Sequence, residues 1–217
     1  MNKRCIAVLL TLAMTGTLFG CGSSNTQKSD TTKKTEKSDK ESVVVTMPTS
    51  SEPEAGFDPA YGWGAGEHVH EPLIQSTLTT TTKDLKIGKD LATDYSVSED
   101  GLVWTVKIRE DVKFTDGEKL TASDVAFTYN NCVKNSTVND FTMLKEAVAV
   151  DDTTVEFHMN KPFSIWPYTM AIVGIVPEHA YDENYGQHPI GSGRYILKQW
   201  DKGQPVSYTH LTLPTKA

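Results

Sequence analysis

The stretch Asp100-Gly101-Leu102-Val103-Trp104-Thr105-Val106-Lys107-Ile108-Arg109 alternates apolar and polar residues behind a turn. Leu102, Trp104, Val106 and Ile108 fall on one face of an extended chain, and Val103, Thr105 and Lys107 on the other. That period of two predicts a strand with one buried face. Glu99-Asp100-Gly101 turns the chain into it, the glycine supplying a positive φ, and Asp116-Gly117 is a second turn signal beyond it. Thr121 then precedes Asp124 by three residues in the manner of a capping box. Ala122, Val125, Ala126, Tyr129, Cys132 and Val133 recur at helical spacing behind that cap, predicting a helix with one apolar face. A hairpin follows, with Ala147 to Val150 as one arm, Asp151-Asp152 as the turn, and Val155, Phe157 and Met159 alternating along the other arm. Strands and helices are interspersed and the hairpins imply antiparallel pairs, so the class is mixed α/β.

The same reading extends in both directions. Val43-Val44-Val45 predicts a short buried strand, and Pro48, Pro53, Gly56 and Pro59 mark an irregular stretch after it. A short helix is expected over Gly66 to Gln75, and an extended Thr-rich segment over Leu78 to Thr82. Ile172 to Val176 reads as a short buried strand, Pro177 as the start of a helical turn, and Arg194 to Trp200 as extended again. No internal repeat is visible.

The N-terminus has another character. Lys3 and Arg4 are followed by an apolar run from Ile6 to Leu12 and by small residues at Gly16 and Gly20, the layout of an export signal. Leu18-Phe19-Gly20-Cys21 resembles the bacterial lipobox, which implies that Cys21 receives a diacylglycerol and becomes the new N-terminus. Residues 22–42 are Gly, Ser, Thr, Lys, Asp, Glu, Asn and Gln with no apolar side chain. They cannot offset their ordering entropy and are expected to form a disordered tether. The expected division is thus a lipoprotein signal peptide at 1–21, a tether at 22–42 and a folded body at 43–206, held on the extracytoplasmic face of the cell membrane.

The 217 residues carry a formal charge of −7, which becomes more negative once the signal is removed. An acidic body does not suit nucleic acid or anionic lipid. Of the three cysteines, Cys5 leaves with the signal and Cys21 is the lipid site. Cys132 then stands alone, so no intrachain disulfide is possible, and it reads as a small apolar residue on a helix face.

Several phrases together resemble family 5 of the extracellular solute-binding proteins, the peptide/nickel receptors of ABC importers. They are Asp100 to Arg109, Val112-Lys113-Phe114-Thr115-Asp116-Gly117 and Thr121-Ala122-Ser123-Asp124-Val125. To these add Glu71-Pro72-Leu73, Asp151-Asp152-Thr153-Thr154-Val155 and Pro189-Ile190-Gly191-Ser192-Gly193-Arg194-Tyr195. The resemblance covers about residues 43 to 206. It implies a type II periplasmic-binding-protein fold whose two lobes close on a ligand by hinge motion, with this chain carrying a truncated first lobe. It implies a monomeric receptor without chemistry of its own, whose partners are an oligopeptide or nickel-chelate ligand and a membrane permease. Ser207 to Ala217 departs from the family's continuation and is expected to be a non-native tail. The phrases themselves read mostly as structure: Trp104 fills core, and Gly191 and Gly193 allow a tight turn.

The candidates for ligand contact are few. His68-Val69-His70-Glu71 is the one dense cluster of metal-ligating types, and imidazole with carboxylate suits nickel, zinc or copper. On a strand His68 and His70 share a face; on the expected helix they point about 200° apart and His68 pairs better with Glu71. Trp63, among Gly62, Gly64 and Gly66, would wall a pocket. Phe141 lies where nickel-binding relatives hold an aromatic and nearby arginines, but Val138-Asn139-Asp140-Phe141 has no Arg, and neither does Ile172 to Ile175. That departure favours peptides over an anionic chelate. No cofactor is expected, with nickel entering only as a possible ligand. His158, His179 and His188 carry no pattern. A metallohydrolase built on His68-x-His70 would need further ligands and a general base, and the sequence offers no second cluster. A scaffolding lipoprotein without a ligand is the third reading.

Overall fold

In the computed structural model, residues 56–61, 72–136 and 140–200 are described in full, and residues 42–45 and 206–210 by their strand backbone. The quoted stretch is an inner strand of a four-stranded antiparallel sheet. Its members are β4 (Ala92–Val97), β5 (Val103–Ile108), β6 (Leu144–Asp151) and β7 (Thr154–Met159), in the order β4-β5-β7-β6. Trp104, Val106 and Ile108 point inward as their alternation predicts, and Val106 sits opposite Val155 while Trp104 sits opposite Phe157. Gly101 has φ +72° in the turn that leads in, which glycine adopts without a Cβ penalty.

Helix α1 (Ala122–Asn135) covers the inner face of this sheet. Its capping box forms: the Asp124 carboxylate accepts from the Thr121 N–H at 2.8 Å and from the Thr121 hydroxyl at 3.1 Å. Ala122, Val125, Ala126, Tyr129 and Cys132 are buried, whereas Val133 is 37% exposed, so the apolar stripe is narrower than its spacing suggests. The core is aromatic at its centre. Tyr129 stands edge-on to Phe157 with ring centres 4.7 Å apart and tilted against Trp166 at 5.6 Å, arrangements that suit the ring quadrupoles.

Both outer strands are irregular. β4 shifts register between Ala92 and Asp94, and β6 does so twice, between Leu144 and Glu146 and between Ala149 and Asp151. On β6 the outward-facing backbone of Ala147 is taken by a side chain of α1. Asn130 Nδ2 donates to the Ala147 carbonyl at 2.8 Å, and the Ala147 N–H donates to Asn130 Oδ1 at 2.9 Å.

A hairpin of β2 (Thr79–Thr81) and β3 (Ile87–Lys89) precedes the sheet. A short helix α2 (Trp166–Thr169) packs on β2, with the Thr79 hydroxyl donating to the Pro167 carbonyl at 2.6 Å. A second, three-stranded sheet is built from β1 (Ser42–Val45), β8 (Tyr195–Gln199) and β9 (Val206–His210), in the order β1-β9-β8. Phe57 and Ile74 form a small apolar cluster against Tyr195, Leu197 and Trp200 of this region, apart from the main core.

Two expectations need correction. Residues 172–176 are not a strand, although Val173, Ile175 and Val176 are buried. The Ile175 N–H donates to the Ser76 carbonyl and the Val176 N–H to the Thr128 hydroxyl, a loop and a helix side chain, so no ladder forms. Residues 72–75 are not helical. They run beside the loop 191–195 instead, with Gly193 N–H donating to Ile74 O at 2.7 Å and Tyr195 N–H to Leu73 O at 3.0 Å. The remainder of the expected helix, 66–71, lies outside the described residues. Gly191 and Gly193 serve this approach rather than a left-handed turn. A Cβ on Gly191 would lie 2.1 Å from Ile74 O, and one on Gly193 2.6 Å from it.

Candidate functional site

A seam of polar side chains, some buried and some part-buried, joins elements distant in sequence. Asp58 stands in the turn Asp58–Tyr61 and is only 5% exposed. Its Oδ1 accepts from the Ala60 N–H at 2.8 Å, and its Oδ2 from the Tyr181 hydroxyl at 2.7 Å. The Tyr181 oxygen accepts in turn from Asn131 Nδ2 at 2.6 Å, and Asn131 Oδ1 accepts from Asn135 Nδ2 at 2.6 Å. An unbroken relay thus runs from the last turn of α1 to the Asp58 turn. Asparagine is a poor residue inside a helix, and here Asn130, Asn131 and Asn135 are each bound to a particular partner.

Gln75 completes the seam. Its Nε2 donates to the Phe57 carbonyl at 2.9 Å and to the Tyr185 hydroxyl at 3.2 Å, while that hydroxyl donates to Ile190 O at 2.8 Å. Phe57 N–H also donates to Gly186 O at 2.7 Å. Residues 57 and 75 therefore share a hydrogen bond, and both flanks of the intervening chain are fixed at one place. Aromatic rings line the relay: Phe127 meets Tyr181 edge-on at 5.2 Å, Tyr181 and Tyr185 lie 5.2 Å apart, and Tyr61 presents its ring at 45% exposure.

The electrostatics of the seam follow from burial. Burial pushes the Asp58 carboxyl above its ordinary value, against the pull of the hydrogen bonds from Tyr181 and Ala60. Burial likewise raises Tyr181, helped by its bond to Asp58, and raises Tyr185. The Cys132 thiol is pushed up to about 12 by burial, with the Asp58 charge adding to it. Cys132 is buried as the helix-face reading expects.

Of the residues singled out by sequence, Cys21, Trp63, His68, His70 and Glu71 lie outside the described residues. Phe141 is described and is a core residue: 5% exposed, it stands edge-on to Tyr129. His158 is half-buried with Nε2 3.3 Å from Glu156, and His179 Nε2 is 2.7 Å from Asp116 Oδ2, a partner its sequence neighbourhood does not reveal. Among the described residues no group of three or more His, Cys, Asp or Glu is placed to hold a metal ion. Sequence reasoning missed Asp58, Gln75, Asn131, Tyr181 and Tyr185. The available signal was polar residues beside buried apolar ones, as in Phe57-Asp58-Pro59-Ala60, which shows nothing of the partners.

Comparison with known proteins bears on what this arrangement serves. Residues 86–210 match the family model described as bacterial extracellular solute-binding proteins, family 5 Middle. Among curated proteins, the chain is 33% identical over 180 residues to Protein XP55 of Streptomyces lividans, covering 77% of this chain and 32% of that protein. It is 29% identical over 156 residues to the probable D,D-dipeptide-binding periplasmic protein DdpA of Escherichia coli K12, covering 66% of this chain and 30% of that protein. Among solved structures, NikZ of Campylobacter jejuni in complex with Ni(L-His) is 26% identical with a TM-score of 0.62, covering 76% of this chain and 36% of that one. The oligopeptide-binding protein AppA of Bacillus subtilis in complex with a nonapeptide is 28% identical with a TM-score of 0.59, covering 72% and 34%. The chain thus spans about a third of the length of these relatives.

Proposed function

This chain belongs to family 5 of the bacterial extracellular solute-binding proteins, and from that premise we propose that it is the opening part of a receptor lipoprotein that captures oligopeptides for an ABC permease. The family consists of binding proteins, not enzymes, and works outside the cytoplasm. In this reading Cys21 carries the lipid anchor, residues 22–42 space the body from the membrane, and the closed, loaded body docks as a monomer on the permease. Binding is stoichiometric, with cleft closure as the only work done. Trp63 walls the ligand.

The observation that carries the choice of peptide is the lack of arginine at 138–141 and 172–175, where an anionic chelate would need cations. Phe141, turned into the core, does not serve that mode either. The test is calorimetric titration of the full-length mature protein with a mixed short-peptide pool and, separately, with nickel plus free histidine. Heat with peptides alone supports the proposal, and heat only with nickel and histidine overturns it. The second reading, a nickel-chelate receptor, rests on His68 and His70 with Glu71 beside them, and loss of the nickel heat on replacing both histidines is its check.

A further inference from the structure

We infer that the tip of the β2–β3 hairpin, with Leu85 at its apex, joins Ile165 and Tyr168 at α2 in a surface that contacts lipid and seats the body on the membrane. The inference rests on the lipoprotein reading of Cys21 and adds to it the face that meets the bilayer.

The hairpin loop has a place that suits glycine and holds a leucine there. The Thr82 N–H donates to Lys86 O at 2.8 Å and the Leu85 N–H to Thr82 O at 2.9 Å, while the Lys86 N–H donates to the Thr82 hydroxyl at 3.1 Å. Lys83, Asp84 and Leu85 thus form a three-residue loop, a turn followed by one left-handed residue. Leu85 takes that place with φ +59°, and among the described residues no other non-glycine has a positive φ. A bulky side chain is strained there, and glycine would relieve the strain. Leu85 is also 75% exposed, so packing within the described body does not explain the leucine. Backbone strain that the fold does not require points to a use of the side chain outside the fold.

Single exposed apolar residues are ordinary on a protein surface, but here three adjoin. The Tyr168 hydroxyl donates to Leu85 O at 3.4 Å. Ile165 stands one turn before Tyr168, whose N–H donates to Ile165 O at 2.9 Å, so the two side chains leave the same side of that turn. All three are exposed. Lys83 and Lys86 flank Leu85, with Asp84 in the same loop, and neither ammonium is ion-paired among the described residues. Apolar side chains bordered by a tyrosine and lysines suit the lipid interface, where the apolar parts reach the acyl boundary and the charges stay among the headgroups. The length of the tether points the same way. Residues 22–42 reach at most about 75 Å even fully extended, so a body anchored at Cys21 meets lipid far more often than any dissolved partner. The acidic charge of the whole chain opposes adsorption at random, and a locally basic, apolar tip selects which face turns to the bilayer.

The experiment is sedimentation of the full-length mature protein, prepared without its lipid, with vesicles of phosphatidylcholine that hold phosphatidylglycerol as the minor lipid, beside thermal unfolding without vesicles. Leu85→Gly is expected to bind the vesicles about tenfold more weakly, the size of one leucine withdrawn from an apolar environment. It should melt at or above the wild-type temperature, because glycine takes the left-handed place without strain. Lys83→Gln with Lys86→Gln is expected to weaken binding to these vesicles about tenfold and to leave binding to pure phosphatidylcholine unchanged. Vesicle binding that Leu85→Gly leaves unchanged, or no binding by wild type, overturns lipid as the occupant and leaves a protein partner. A lower melting temperature for Leu85→Gly also overturns it, since the leucine is then packed against another part of the receptor. Mass spectrometry of the exported protein reads the anchor separately, and absence of lipid on Cys21 overturns the tethered reading and takes the role of the tip with it. Peptide heat is expected to be the same in wild type and Leu85→Gly, so failure of the lipid face and failure of the receptor reading are separate results.

Discussion

Tyr129 and Tyr185 are both fully buried tyrosines, and the same substitution at each should change stability in opposite directions. The Tyr129 hydroxyl meets no hydrogen-bonding partner among the described residues, since its surroundings are the rings of Phe141, Phe157 and Trp166. A buried polar group without a partner carries its full desolvation cost, about 1–3 kcal/mol. Tyr129→Phe removes that cost and leaves ring packing unchanged, so the protein should gain about 1 kcal/mol. The Tyr185 hydroxyl donates to Ile190 O and accepts from Gln75 Nε2. Tyr185→Phe deletes both bonds and strands the Ile190 carbonyl, a loss of roughly 1–3 kcal/mol by the same reasoning. Gln75 keeps its bond to Phe57, which holds the loss towards the lower end. The two variants should therefore differ by about 2 kcal/mol in urea unfolding, and by roughly 4–8 °C in melting temperature for a body of this size. If Tyr129→Phe destabilises as much as Tyr185→Phe, partners in the folded protein do not decide the sign, and the account of the core is wrong.

Gly191→Ala should cost more than about 3 kcal/mol in the same unfolding assay, because its Cβ would meet the Ile74 backbone rather than a side chain that can swing away. In protein that starts after residue 21, Cys132 should resist thiol reagents at pH 8 until the protein unfolds. A thiol pushed up to about 12 is ionised on the order of one part in ten thousand there, and fast native labelling would contradict the burial. Burial is the largest single influence on Asp116 and tends to raise it, but the hydrogen bonds from His179 and the Glu118 N–H, with the His179 charge, together outweigh it and the carboxyl ends below its ordinary value. A depressed carboxylate contributes stability that is present above its unfolded value, near 3.9, and lost as pH falls through the folded one. Asp116→Asn should accordingly lower the melting temperature at neutral pH, with the gap to wild type closing below about pH 4. Asp124→Ala should lose about 2 kcal/mol by chemical unfolding, since its carboxylate accepts from Thr121 at the helix start and from the Glu178 N–H at 3.0 Å.

The fold was legible wherever periodicity and punctuation agree over a short span. Alternation from Leu102 to Ile108 placed β5, Thr121 with Asp124 placed the start of α1, and Asp151-Asp152 placed the β6–β7 turn, because each depends on residues a few positions apart. Ile172 to Val176 shows where this stops. Burial makes a segment apolar, but strand formation needs a neighbouring backbone, and here the neighbours are Ser76 and Thr128. Gly191 and Gly193 are turn residues by composition, and only the fold brings Ile74 against them. The polar seam was illegible for the same reason: Asp58 and Tyr181 are 123 residues apart, and no local pattern marks either as a partner. Phe141 reads as a ligand aromatic from its position in the chain, and its place beside Tyr129 depends on how the end of α1 returns to the sheet.

Asn130 gives the sheet a consequence beyond its own stability. Its amide offers the Ala147 backbone one donor and one acceptor at the spacing a fifth strand would supply. The irregular register of β6 to either side leaves no long regular row to extend. An incoming chain finds its docking points already occupied, so growth by strand addition, the route from a folded sheet to fibrils, is stopped at that border by one side chain.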